Sequence, residues 1–216
     1  MMIQKIKPMR EQVYDKLKDL IITGSIKPSE RIIELDYAEK FKISRTPIRE
    51  AIRMLELEGL VEVSSKGGVI VKEITEADII EIYKIRIALE GVIIQEIIKR
   101  DTFDINKLEK LLDKTMSCMI KDENSKEVIK LFTNFNSEFY AISKLPRVIE
   151  MIKNLNLYLM KFRTISITDS FRRKIAYQEH RDLIEAIKNK NLEKALEINK
   201  KHLEDSMNFI LNAINN

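Results

Sequence analysis

The stretch ISRTPIREAIRMLELEGLV, Ile43 to Val61, reads as one short helix with two chemically different faces. Arg45, Arg49 and Arg53 recur at i, i+4 and i+8, while Ile48, Ala51, Ile52 and Leu55 form a stripe on the opposite side that calls for burial. The start is well specified. Ser44 can accept free first-turn amides as N-cap, and Pro47 still lies in that turn, where no intrahelical N–H is required. Gly59 closes the helix in a left-handed conformation. Leu60 to Val63 and Val69 to Val71 then read as two short strands around the turn Lys66-Gly67-Gly68. Upstream, Val13, Leu17, Leu20 and Ile21 form a helical stripe ending at Gly24, Ile26 to Arg31 reads as a turn, and Glu34 to Phe41 as a second short helix. Together these elements predict a winged helix-turn-helix over residues 1–72.

The arginine face suits a polyanion. From Phe41 to Arg53 the cations Lys42, Arg45, Arg49 and Arg53 meet one acid, Glu50, although the whole chain is only +4. The expected partner is double-stranded DNA. Arg45 and Arg49, near the helix start, can reach base edges in the major groove, and Arg53 is placed for phosphate. The hydroxyls of Ser44 and Thr46 with the first-turn amides would hold a phosphate at the positive end of the helix dipole. Lys66 and Gly67 at the wing tip would follow the backbone or enter the minor groove.

Gly24, Pro28, Arg31, Ala38, the run Ser44-Arg45-Thr46-Pro47-Ile48-Arg49-Glu50-Ala51, Leu55, Glu58-Gly59-Leu60 and Gly67-Gly68 resemble the DNA-binding domain of the GntR family of bacterial transcription regulators. Ser29 stands where that family usually has a second turn glycine, so it must take a conformation glycine accepts more easily. The resemblance implies a dimer on a pseudo-palindromic operator, which also follows from how few base pairs one monomer reads.

A chain of 216 residues with only 5 Gly and 4 Pro points to a mostly helical protein of one or two domains. Cys118 stands alone, so no internal disulfide is available, and no apolar run is long enough to span a bilayer or to serve as a signal peptide. The expected location is the cytoplasm, with no membrane partner. Past Val71 the only glycine is Gly91 and the only proline Pro146, and the remainder reads as six helices: Glu76 to Lys99 capped by Thr75, Asp104 to Lys121, Ser125 to Ser143, Pro146 to Ile165, Ser170 to Lys188 and Asn191 to Ala213. The expected fold class is mainly α, with an all-α six-helix bundle over residues 76–216 behind the winged helix-turn-helix.

His180 and His202 are the only histidines, and an antiparallel pair of helices joined near Lys190 would place both at nearly the same height. Arg86 falls among isoleucines and needs an acid, either Glu90 one turn on or a ligand. The pattern around Tyr83, Arg86 and Glu90, the segment Asn136-Ser137-Glu138-Phe139-Tyr140, and His180 with His202 resemble the FadR C-terminal (FCD) ligand-binding domain in its six-helix, VanR-like form. That resemblance implies a dimerisation domain and an effector pocket of Arg86, Asn136, Tyr140, His180 and His202. It also implies a divalent metal (zinc, nickel or manganese) on His180, His202 and Asn136. Asn136 and Tyr140 occupy positions that carry aspartate and histidine in many members, and an amide oxygen and a phenol are weak ligands. Without a metal the same four residues can still hydrogen-bond a small polar ligand.

The expected function is a ligand-responsive dimeric repressor whose effector is a small organic acid. An enzyme is not expected, since no serine, cysteine or lysine nucleophile motif accompanies the histidines. A constitutive DNA-binding protein whose bundle only dimerises is the alternative.

Overall fold

The structure is a computed structural model that describes residues 7–65, 67–100, 104–121, 126–159, 162 and 169–215. The chain divides into two compact units, Met1–Ile74 and Thr75–Asn216, with nine helices among the described residues.

In the first unit, α1 (Met9–Ile22) turns Val13 and Leu17 against Ile48, Ala51, Ile52 and Leu55 of α3 (Arg45–Leu57), all of them buried. Each fully buried leucine or isoleucine here contributes roughly 1.5–3 kcal/mol relative to exposure. Helix α2 (Glu34–Phe41) ends with Lys42 in the left-handed region at φ 55°, where the Ile43 amide donates to the Ala38 carbonyl at 3.0 Å; this forms the turn of the helix-turn-helix. Helix α3 closes the same way. Gly59 has φ 74°, its amide donates to Glu56 at 2.9 Å, and the Leu60 amide donates to Leu55 at 3.0 Å, so the carbonyls of the last turn find donors. Ser44 occupies the N-cap with extended backbone, but its side chain makes no capping hydrogen bond; the start of α3 rests on backbone geometry and Pro47 rather than on the hydroxyl.

Strands β2 (Val61–Val63) and β3 (Val69–Val71) form the wing, and a third strand, β1 (Arg31–Ile32), completes an antiparallel sheet in the order β1-β3-β2. Arg31 pairs with Ile70 and Ile32 with Val69. The end of the expected turn is therefore a strand. Two residues have too little pattern to announce one, and their ladder is supplied by distant β3, with Ser29 donating to Val71 at 2.9 Å and Val71 to Glu30 at 3.0 Å. Ser29 takes φ 63°, the glycine-like conformation anticipated for it.

The second unit contains α4 (Glu76–Lys99), α5 (Asn106–Lys121), α6 (Lys126–Ile142), α7 (Pro146–Tyr158), α8 (Ser170–Lys188) and α9 (Leu192–Asn215). Thr75 and Asp78 make a reciprocal capping box on α4, and Asp169 caps α8 by accepting the Arg172 amide at 2.6 Å. Helix α7 stops at Tyr158, short of the Ile165 expected, with Leu159 as its C-cap; most of the remaining stretch lies outside the described residues. Helix α4 packs on α9 and α7, α5 on α6, and α8 on α9, around a core that includes Ile93, Ile94, Ile97, Leu112, Phe135, Ile152, Ile184 and Ile187.

Candidate nucleic-acid interface and effector pocket

On α3 the side chains of Arg45, Arg49 and Arg53 are exposed, as are Ser44 and Thr46, and Gly67 is exposed on the wing; Lys66 lies outside the described residues. The first turn of α3 has no acidic residue, so its positive end is not offset from within the helix. Glu34, the first residue of α2, reaches across instead. Its carboxylate accepts Arg49 Nε at 3.0 Å and Arg49 Nη2 at 2.9 Å, and Arg45 Nη2 at 3.3 Å. The hydrogen bond from Arg49, with the charges of Arg49 and Arg45, outweighs partial burial and holds the Glu34 carboxyl below its ordinary pKa. At this exposed site the arrangement contributes little stability, but it holds the Arg49 guanidinium in one orientation. Sequence reasoning missed Glu34 because the local charge balance began at Phe41, and residues 11 and 15 apart across a turn share no helical period.

The wing tip is fixed by its glycines. Gly67 and Gly68 have φ 76° and 79°, and Arg31 Nη2 donates to the Gly67 carbonyl at 2.5 Å. A Cβ on Gly68 would lie 2.6 Å from Arg31 Nε.

Among α4, α6, α8 and α9 the second unit holds a cavity of about 60 Å³ that is partly open to solvent. Its walls bring together Arg86, Asn136, Tyr140, His180 and His202. The imidazole centroids of His180 and His202 are 4.8 Å apart, and His180 stacks on Phe135 at 4.3 Å. Arg86 is buried with its sequence neighbour as partner: Nη2 donates to Glu90 Oε1 at 2.9 Å, and the guanidinium lies 5.1 Å from the Tyr83 ring centroid. Burial works against the Arg86 charge, but the adjacent Glu90 carboxylate outweighs it and holds the guanidinium pKa above its ordinary value. Tyr140 donates its hydroxyl to the same Glu90 oxygen at 2.9 Å.

Three further residues of α8 shape this cavity and its wall, and none was singled out from sequence. Arg172 donates to Glu179 Oε2 at 2.9 Å, to Ser206 Oγ at 2.8 Å and to the His202 carbonyl at 3.1 Å, and His202 Nδ1 lies 2.6 Å from the same Glu179 oxygen. Burial raises the Glu179 pKa, but the His202 hydrogen bond and the charge of Arg172 outweigh it and leave the carboxyl below its ordinary range. Arg173 is 2% exposed, and its Nε and Nη2 have no hydrogen-bond partner among the described residues. A signal existed for Arg173, because it shares the buried stripe of α8 with Tyr177, His180, Ile184 and Ile187.

The donors do not fit a metal. Among the described residues no three His, Cys, Asp or Glu side chains are grouped to hold one. Asn136 offers an amide, Tyr140 gives its proton to Glu90, Glu179 is taken up by Arg172, and Arg173 adds a positive charge to the same cavity.

A winged helix with an arginine face and a helical bundle built around a polar cavity suit a DNA-binding transcription regulator. Residues 9–71 match the bacterial regulatory proteins of the gntR family, and residues 81–205 match the FCD domain. The chain is 34% identical over 194 residues to the HTH-type transcriptional regulator YdhC of Bacillus subtilis, spanning 89% of this chain and 87% of that one. It is 34% identical over 79 residues to the gluconate operon transcriptional repressor of the same organism, 37% of this chain and 32% of that one. Its fold is similar to the solved structure of E. coli McbR/YncC, with TM-score 0.70 and 24% identity over 97% of this chain and 100% of the other. The chain belongs to the gntR family of bacterial regulatory proteins and carries an FCD domain. No helix among the described residues is long and apolar enough to cross a membrane.

Proposed function

We propose that this regulator is a cytoplasmic homodimeric repressor of the VanR-like branch that leaves a pseudo-palindromic operator when a small organic acid enters its C-terminal bundle. Residues 1–72 hold the operator through Ser44, Arg45, Thr46, Arg49, Arg53, Lys66 and Gly67. Residues 76–216 dimerise and bind the effector among Arg86, Asn136, Tyr140, His180 and His202. One winged helix reads too few base pairs to specify a site, so two copies on related half-sites supply the rest. The repressor assignment draws on the gluconate operon repressor, which shares 34% identity over 79 residues.

The observation that carries the effector reading is the set of three buried guanidiniums, Arg86, Arg172 and Arg173, around one cavity of the bundle. Burying charge is costly, and a bundle that only dimerised would be more stable with hydrocarbon in their place. Coupling between pocket and DNA of about 1–3 kcal/mol changes operator affinity roughly 5- to 150-fold.

The test is fluorescence anisotropy on DNA from upstream of the protein's own gene, titrated with a panel of small carboxylates and, separately, with zinc, nickel and manganese after chelation. Two protomers per site and release by a carboxylate are expected. Binding that ignores every carboxylate and metal would favour a constitutive DNA-binding protein, and release that requires an ion would restore the metal reading of His180, His202 and Asn136.

A further inference from the structure

Resting on the effector reading above, we infer that Arg173 is the anion receptor of the pocket and takes one carboxylate of the effector without a metal ion. The charges of the cavity can be matched one by one. Arg86 is balanced by Glu90 at 2.9 Å, and Arg172 by Glu179 at 2.9 Å. Arg173 has no acid among the described residues, although it is 2% exposed. Burial of an ionised guanidinium is tolerated where a counter-charge can reach it, and the position still to be filled is the cavity itself.

The unpartnered atoms give the shape of that counter-charge. Nε and Nη2 lie on the same edge of a guanidinium, and their two N–H groups run parallel as a fork that matches both oxygens of a carboxylate. One uncompensated positive charge calls for one negative charge, which favours a monocarboxylate over a phosphate ester carrying nearly two. Phe132, Phe135 and Leu183 form apolar wall, and Asn136 and His180 offer hydrogen bonding, so the body of the acid is short, partly apolar and able to carry a hydroxyl or keto oxygen. In this arrangement a fixed guanidinium supplies the positive charge for which a dication was expected. The same charge repels such an ion.

The experiment uses the full-length, tag-free protein with chelator present at constant ionic strength, and follows thermal shift and calorimetry with acetate, lactate and inorganic phosphate as probes. Acetate or lactate is expected to raise the melting temperature in the wild type, with phosphate much weaker. Arg173→Met should lose this response, weakening the apparent Kd at least tenfold, and Arg173→Lys should retain part of it as a charge without a fork. Without ligand, Arg173→Met should melt at or above the wild-type temperature, since a buried unpaired cation has gone, whereas a structural arginine would show a drop. A lower unliganded melting temperature, an unchanged Kd in Arg173→Met, or a response that appears only with added metal would overturn the assignment. The two readings fail separately: carboxylate binding at Arg173 that leaves operator affinity unchanged defeats the regulatory reading alone. Operator release by a carboxylate in both wild type and Arg173→Met defeats the receptor alone.

Discussion

The two units use arginine in opposite ways. On α3 the guanidiniums of Arg45 and Arg49 stand in solvent, where charge is cheap to keep, and Glu34 holds them with its carboxylate. In the bundle, Arg86, Arg172 and Arg173 are withdrawn from water, so each must be matched or carry a free-energy cost. Two of them are matched. An exposed arginine is kept charged by water at little cost, whereas a buried unmatched arginine carries an electrostatic cost that only a counter-charge removes.

The largest expected effect lies in the buried half. Arg86→Ala leaves Glu90 buried with Tyr140 as its one donor among the described residues, and chemical denaturation should show a loss of about 3–5 kcal/mol; a loss below about 1 kcal/mol would mean that this pair behaves like a surface one. Arg49→Ala addresses the exposed half. It should weaken specific operator binding about ten- to a hundredfold per half-site while the dimer and its melting temperature stay nearly unchanged, as anisotropy beside a thermal melt would show. A folding defect would place this face in the core instead.

A third test changes what the pocket can match. Asn136→Asp with Tyr140→His places a carboxylate and an imidazole beside His180 and His202, and zinc, nickel or manganese should then raise the melting temperature of the double variant but not of the wild type. Calorimetry without any metal response in that variant would show that these four side chains do not converge as placed. The smallest effect concerns pH. Glu179 has a folded pKa below its ordinary value of 4.5, so its contribution to stability is present above that value and is lost as pH falls through the lowered folded pKa. Glu179→Gln should flatten that acid limb of the melting profile, and an unchanged limb would assign the acid sensitivity to other carboxylates.

Much of the first unit was legible because its signals are local. The left-handed Gly59, the stripe of Ile48, Ala51, Ile52 and Leu55, and the glycine-like Ser29 each follow from a few neighbouring residues. Strand β1 was not, because its hydrogen bonds come from β3 nearly 40 residues on. The same holds for Glu34, whose partners belong to another helix. In the bundle the pairing of His180 with His202 could be anticipated from helix rise alone, whereas the compensation of Arg172 by Glu179 and Ser206 depends on how α8 meets α9. Arg173 is the instructive omission. Its place in the stripe of Tyr177 and His180 was readable, but two adjacent arginines suggest a solvated helix start, and only packing shows that both are buried and that Arg172 alone of the two meets an acid among the described residues.

The bond from Arg31 to the Gly67 carbonyl has a mechanical meaning. Arg31 sits in β1, β1 leads within two residues into Glu34, and Glu34 grips Arg49, so the tip of the hairpin and the reading helix are joined through a short chain of rigid parts. Like the two jaws of a caliper, they are linked through one short bar, here two hydrogen-bonded arginines on either side of β1 and Glu34.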